Sequence, residues 1–211
     1  MTLSLNEVEA LAKKATRGAG YPWGIAEEAG KAVRWLCAMN FDGCAALADL
    51  LVECEGENLS DRTPVLGSVW ASRGGRLCPL LAGATLSDLA DVLTGEELRL
   101  ENVARPILLA PFASLAARTL EAPICLDWDN ARISTDGAAI AAEGDTGAAV
   151  ACVTIYVADG FDPAEAQAAC SRADPDAKTL DTLNRLAHRT YAPATEASRL
   201  SGAGAGLSDN D

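Results

Sequence analysis

Gly18-Ala19-Gly20-Tyr21-Pro22-Trp23-Gly24 is a glycine-rich aromatic elbow between two stretches of helical period, and its reading decides the fold of the N-terminal region. Upstream, Ser4 and Glu7 form a capping box, and Leu5, Val8, Leu11, Ala12 and Ala15 recur at helical spacing until Gly18 offers a C-terminal stop. Downstream, Ile25, Ala29, Ala32, Val33 and Leu36 make a second apolar stripe, with Glu27 and Lys31 four apart on the outer face. Asp42 then reads as the N-cap of a third helix carrying Ala45, Ala46, Leu47, Leu50 and Leu51, which ends near Glu55-Gly56. A short elbow between two apolar stripes forces a helical hairpin, with the third helix docked beside it.

Residues 55–63 are polar and lead into Pro64, which marks a boundary. The expected organisation is a helical subdomain over 1–56, a core of helices and strands over 57–195, and a glycine-rich tail over 196–211. Within the core, 65–70 and 77–81 read as short strands, Thr85, Ser87 and Asp88 open a short helix closed by Gly95, and 98–103 reads as another strand. Residues 106–118 read as a strand running into a helix. The alternation of Ile124, Leu126 and Trp128 against Cys125, Asp127 and Asp129 marks a half-buried strand. Turn signals at Asp129-Asn130 and Asp136-Gly137, followed by a long strand over 148–157, predict an antiparallel meander. Asp162-Pro163-Ala-Glu165 predicts a helix to about residue 172, and Asp174-Pro175-Asp176 opens a last one with Leu180, Leu183, Ala187 and Tyr191 on one face. The fold class is α+β: a helical hairpin plus a third helix, a central mostly antiparallel sheet, and two C-terminal helices.

Composition narrows the partners. The chain has 211 residues, 49% of them apolar, and a formal charge of -13. That charge repels phosphate backbones and anionic lipid, which argues against nucleic acid and membrane surfaces and leaves a protein partner, a second copy of the chain or a small-molecule ligand. No apolar run approaches the length of a membrane span, and the N-terminus lacks a basic segment followed by an apolar one. The seven cysteines form an odd set without a CxxC pair, which points to thiols in a reducing compartment and a cytoplasmic location.

The residues that would carry chemistry each have a plainer reading. Tyr21 and Trp23 sit where loop aromatics held by helices hold ligands, yet Trp23 equally suits a hydrophobic plug between the helices. Glu27 suits a ligand contact or a first-turn acid. Asp127 and Asp129, beside Cys125 on one strand face, suit acid and base roles or a solvated polar face. His188, the only histidine, has no partner for a histidine-based metal site and reads as a residue of the last helical turn. The tail presents Glu196, Arg199, Gly202, Gly204 and Gly206, which suit a flexible C-terminus or, if the tail packs against the Trp23 elbow, a set that cradles an anion through backbone N–H groups. It fits neither GxGxxG nor GxxxxGK[ST], so no cofactor is named, and no metal site is read.

Leu3-Ser-Leu-Asn-Glu-Val-Glu-Ala-Leu11, the Gly20 elbow and Ala26-Glu-Glu-Ala-Gly-Lys-Ala-Val33 resemble the opening of the type-2 malate/lactate dehydrogenases, NAD-dependent enzymes whose Ser-His-Gly motif carries a catalytic histidine. The matching place here is Phe41-Asp42-Gly43, without that histidine, so hydride transfer is not implied. The stretches Tyr21-Pro-Trp-Gly-Ile-Ala-Glu-Glu-Ala-Gly30 and Glu196-Ala-Ser-Arg-Leu-Ser-Gly-Ala-Gly-Ala-Gly206 resemble a bacterial family of unknown function, mostly alphaproteobacterial. Two function classes follow: a cytoplasmic accessory or interaction protein linked to small-molecule metabolism, or a small-molecule enzyme using Asp127 or Glu27 with Arg199 near the tail.

Overall fold

A computed structural model describes residues 2–191 of the chain. Helix α1 (Leu5–Gly18) starts at the Ser4 and Glu7 capping box, with the Ser4 N–H donating to the Glu7 carboxylate at 2.7 Å. Helix α2 (Trp23–Ala38) antiparallels it, and α3 (Gly43–Glu53) is capped by Asp42, which accepts the Ala45 N–H at 3.0 Å. Gly20 sits at φ +102° in the elbow, a conformation that favours glycine. Helix α2 buries Ala26, Gly30 and Cys37 in addition to its predicted stripe. It does so because it is covered on several sides, by α1, α3, α4 (Pro79–Asp88) and α5 (Ala110–Leu120).

The sheet has seven strands: β2 (Pro64–Val65), β3 (Val69–Ser72), β4 (Leu98–Ala104), β5 (Ile124–Trp128), β6 (Ala131–Thr135), β7 (Ile140–Glu143) and β8 (Val150–Val157). They lie in the order β2-β3-β4-β8-β5-β6-β7, antiparallel except for the β3–β4 pair. The predicted meander holds for β5–β6–β7, whereas β8 crosses back to lie between β4 and β5. Helix α5 covers the face of Ile124, Leu126 and Ile133, and the opposite face carries Asp127, Arg132 and Tyr156. A bulge between Leu100 and Val103, with Asn102 at φ 50°, interrupts β4, which resumes pairing with β8 at Val103 and Ala104. The buried side chains of the helices and the sheet form one contiguous core.

Four expectations are corrected. Residues 77–81 do not form a strand: Leu77 makes a single bridge to Val103, and Pro79 then opens α4 at its first turn. Thr85 and Ser87, read as helix-opening residues, lie inside α4 and donate their hydroxyls back to the Leu81 and Gly83 carbonyls. The strand expected at the start of 106–118 is a 3-10 turn over Pro106–Leu109 that feeds α5.

The fourth correction removes one of the two C-terminal helices. Asp162 caps a single 3-10 turn, Pro163–Glu165, after which the chain runs extended. The Gln167 N–H donates to the Ile140 carbonyl on the edge of β7, and the Cys170 N–H donates to Ala38 at the end of α2. A segment whose apolar side chains are mostly alanine methyls buries too little to hold a helix against those partners. Its end, β9 (Arg172–Ala173), pairs antiparallel with β1 (Leu3–Ser4), a two-strand ribbon without a sequence signal. Helix α6 (Ala177–His188) is the remaining C-terminal helix, capped by Asp176 and packed on α1.

Candidate functional site

The elbow aromatics exchange their expected roles. Tyr21 is fully buried, and its hydroxyl lies 3.3 Å from the thiols of both Cys54 and Cys78. Trp23 is 54% exposed, and its ring lies under Lys13 at 5.7 Å and Arg17 at 5.4 Å. The plug between the helices is therefore Tyr21. Pro22 opens α2, so the indole one residue later emerges from the outer side of the first turn. Trp23→Ala is expected to cost under about 1 kcal/mol, as an exposed cation–π contact does, whereas Tyr21→Ala costs about 3 kcal/mol or more. Urea unfolding of the two variants checks this.

Two of the carboxylates singled out in the sequence, Glu27 and Asp127, are engaged. Glu27 accepts from Lys13 at 2.6 Å, and this bond holds its carboxyl below the usual range. Asp127 accepts two bonds from Arg132, at 2.9 and 3.0 Å, and one from the Tyr156 hydroxyl at 3.1 Å. The Arg132 bonds lower its carboxyl, while burial, with the Cys125 and Asp127 side chains, pushes the Tyr156 phenol up to about 12. Asp129 lies in the exposed β5–β6 turn at φ 48°, and its backbone conformation, not its carboxylate, fills that position. Trp23 and Glu27 thus meet around Lys13, and Asp127 and Asp129 belong to the sheet hairpin. His188 is on the exposed last turn of α6, its ring edge-on to Tyr191 at 5.2 Å. Glu196, Arg199, Gly202, Gly204 and Gly206 lie outside the described residues, and so does their expected meeting with the elbow. Among the described residues no group of three His, Cys, Asp or Glu side chains is placed to hold a metal ion.

One position with unmet hydrogen-bonding capacity is Arg105. It joins β4 to the 3-10 turn at φ 44° and ψ 64°, a left-handed conformation that costs a non-glycine residue about 1 kcal/mol or more. Its N–H donates to the Ala149 carbonyl at 2.9 Å, and its carbonyl accepts from Leu108 at 3.0 Å, which holds the turn. The side chain enters a cleft of about 490 Å³ between α3 and α6, where it reaches Asp49 at 3.4 Å. Its Nε is buried without a hydrogen-bond partner, one of three such side-chain atoms among the described residues. Two of the three acids in the cleft are otherwise bound. Glu53 pairs with Arg76 at 2.7 Å and Arg62 at 3.4 Å. Asp176 accepts from the Thr179 hydroxyl and two N–H groups as the α6 cap, and its carboxyl is lowered by the Thr179 bond. Lys178 lines the same cleft opposite Ala48 and Val52. A guanidinium and an ammonium beside an apolar wall suit a carboxylate on a short hydrocarbon stem.

The sequence reading missed Arg105. Its signal was one charge inside the otherwise apolar run Val103-Ala-Arg105-Pro-Ile-Leu-Leu-Ala-Pro-Phe112.

The profile of a family of proteins of unknown function, DUF3726, matches residues 3–78. This agrees with the family of unknown function that the sequence resembles. No curated protein matches the chain. Among solved structures, the chain is similar to a sulfolactate dehydrogenase from Methanocaldococcus jannaschii, 13% identical with a TM-score of 0.47 over 67% of this chain and 47% of that one. It is also similar to a malate dehydrogenase from Entamoeba histolytica, 10% identical with a TM-score of 0.46 over 73% of this chain and 48% of that one. The chain spans about half the length of these two proteins. No helix among the described residues is long and apolar enough to cross a membrane.

Proposed function

We propose that this protein is a cytoplasmic accessory or interaction protein of small-molecule metabolism, and that it holds an anionic ligand of the carboxylate class in the Arg105 cleft. The observation that carries the reading is the Arg105 side chain, kept in a strained backbone position with its Nε unpartnered against a cleft of ligand size. Ligand binding without turnover is supported by the state of the acids. Glu27 is bound by Lys13, Asp127 by Arg132 and Tyr156, and Asp42 by the Ala45 N–H, which leaves none of these placed as a general base. The same pairing disfavours the enzyme reading that would use Asp127 or Glu27. The free thiols support a reducing compartment.

A thermal-shift screen with short mono- and dicarboxylates, nucleotides and divalent metals tests the reading. A ligand at about 100 times its Kd stabilises by about 2.7 kcal/mol, which raises the melting temperature of a chain this size by about 5–10 °C. Arg105→Gly suits the left-handed backbone and removes the guanidinium, so this variant is expected to stay folded and lose the response. The reading fails if no carboxylate shifts the wild-type chain, or if the shift survives in Arg105→Gly. Consumption of the ligand by the protein alone would replace the accessory role with an enzymatic one.

A further inference from the structure

Cys37 in the last turn of α2 and Cys44 in the first turn of α3 face each other across the turn over residues 39–42, with their sulfurs 3.8 Å apart. Asn40 at φ 63° and the bond from the Phe41 N–H to the Leu36 carbonyl, at 2.9 Å, fold that turn back on itself. Both thiols are buried, yet both line a cleft of about 330 Å³ whose rim carries Asn40, Asp42 and Arg172. A molecule of peroxide size fits that space. We propose that Cys37 and Cys44 are an oxidisable dithiol, converted by a hydroperoxide-class oxidant entering this cleft into a disulfide that staples α2 to α3.

The two sulfurs are not equivalent. The contact with the Cys44 thiol, with the N–H groups of Cys44 and Gly43 at the start of α3, pulls Cys37 towards the thiolate, although burial and Asp42 oppose this. The contact with Cys37, together with burial, pushes the Cys44 thiol up. Cys37 is therefore the attacking sulfur and Cys44 the resolving one. The Cys37 thiolate attacks a peroxide oxygen, the O–O bond breaks, and the departing hydroxide takes up the thiol proton as water, leaving a sulfenic acid. The Cys44 sulfur then attacks the Cys37 sulfur, the S–O bond breaks, and a second water leaves with the Cys44 proton. The sulfur pair loses two electrons, and the peroxide is reduced to two waters.

The test is hydrogen peroxide treatment of the full-length chain, blocking of remaining thiols, and digestion with a protease that cuts before aspartate. Cleavage at Asp42 separates Cys37 from Cys44 and isolates Cys44 in the peptide 42–48. The expected product is that peptide joined to the 1–41 peptide with the loss of two hydrogens, released by a reductant. In Cys44→Ser, dimedone is expected to trap Cys37 as the sulfenic acid, and in Cys37→Ser, Cys44 is expected to stay unlabelled. The proposal is overturned if Cys37 and Cys44 both remain alkylatable while the exposed Cys152 oxidises, or if Cys37 is linked to Cys170 instead. The wild-type measurement stands whether or not either serine variant folds.

Discussion

Phe112→Ala is expected to cost about 3–5 kcal/mol, a large share of the about 5–15 kcal/mol that holds a domain together. Phe112 is 1% exposed, in the first turn of α5, where its ring fills the seam between α5 and α4. The seam exists because α4 carries Gly83 at the crossing: a Cβ added there would overlap the Phe112 ring. Gly83→Ala in an open helix would stabilise by about 1 kcal/mol. Here the overlap costs about 1–3 kcal/mol and reverses the sign. Urea unfolding should give lower midpoints for both single variants with unchanged slopes, and Gly83→Ala should be tolerated better in a Phe112→Leu background. A Gly83→Ala chain more stable than wild type would mean that α4 and α5 do not approach this closely.

Arg62→Ala is expected to cost about 2–3 kcal/mol, below the about 3–5 kcal/mol of a fully buried pair because its partners keep other contacts. Arg62 is only 4% exposed, and its guanidinium joins Glu57, Glu53 at 3.4 Å and the Cys54 sulfur at 3.1 Å. Burial would lower its pKa, but the Glu57 hydrogen bond and the neighbouring acids raise it further, so it stays charged. Burial pushes the Cys54 thiol up to about 11, so that thiol meets Arg62 and Tyr21 as a neutral group. When Arg62 is lost, Glu57 rehydrates at the surface and Glu53 keeps Arg76 at 2.7 Å. The remaining loss is the void beside Cys54, so Arg62→Met, which refills it, should cost less than Arg62→Ala. The pH dependence has a fixed sign. The Arg62 hydrogen bond lowers the Glu57 carboxyl, so its contribution is present above the ordinary carboxylate range of about 4.3 and is lost as pH falls through the lower folded-state value. The difference between wild type and Arg62→Ala should therefore narrow below about pH 4, as measured by urea unfolding at several pH values.

Local chemistry made much of this fold legible. The Ser4 and Glu7 capping box, the Asp42 and Asp176 caps, and the Asp136-Gly137 turn each act through backbone groups within a few residues, and each is found where the sequence places it. The alternation over 124–128 also sufficed, because a strand with one covered face sorts its side chains by period alone. The readings that failed depended on distant partners. The cap, proline and acid of Asp162-Pro163-Ala-Glu165 are a valid helix start, yet the edge of β7 and the end of α2 take the backbone groups that a helix would have used. Leu77 reads as strand and pairs as strand, but Pro79 turns the next residues into α4.

The candidate sites divide in the same way. The sequence by itself determined the α+β class, the helical hairpin, the ends of the first three helices and the net negative charge, because caps, turn residues, period and charge are properties of neighbouring residues. Only the tertiary structure decided that Tyr21 and not Trp23 is the plug, that Glu27 and Asp127 are ion-paired, and that the Arg105 Nε is buried without a hydrogen-bond partner beside a cleft. It also decided that Cys37 and Cys44 meet. The reason is physical: burial, ion pairing and sulfur–sulfur distance depend on how elements far apart in the chain pack, and no spacing along one segment encodes them.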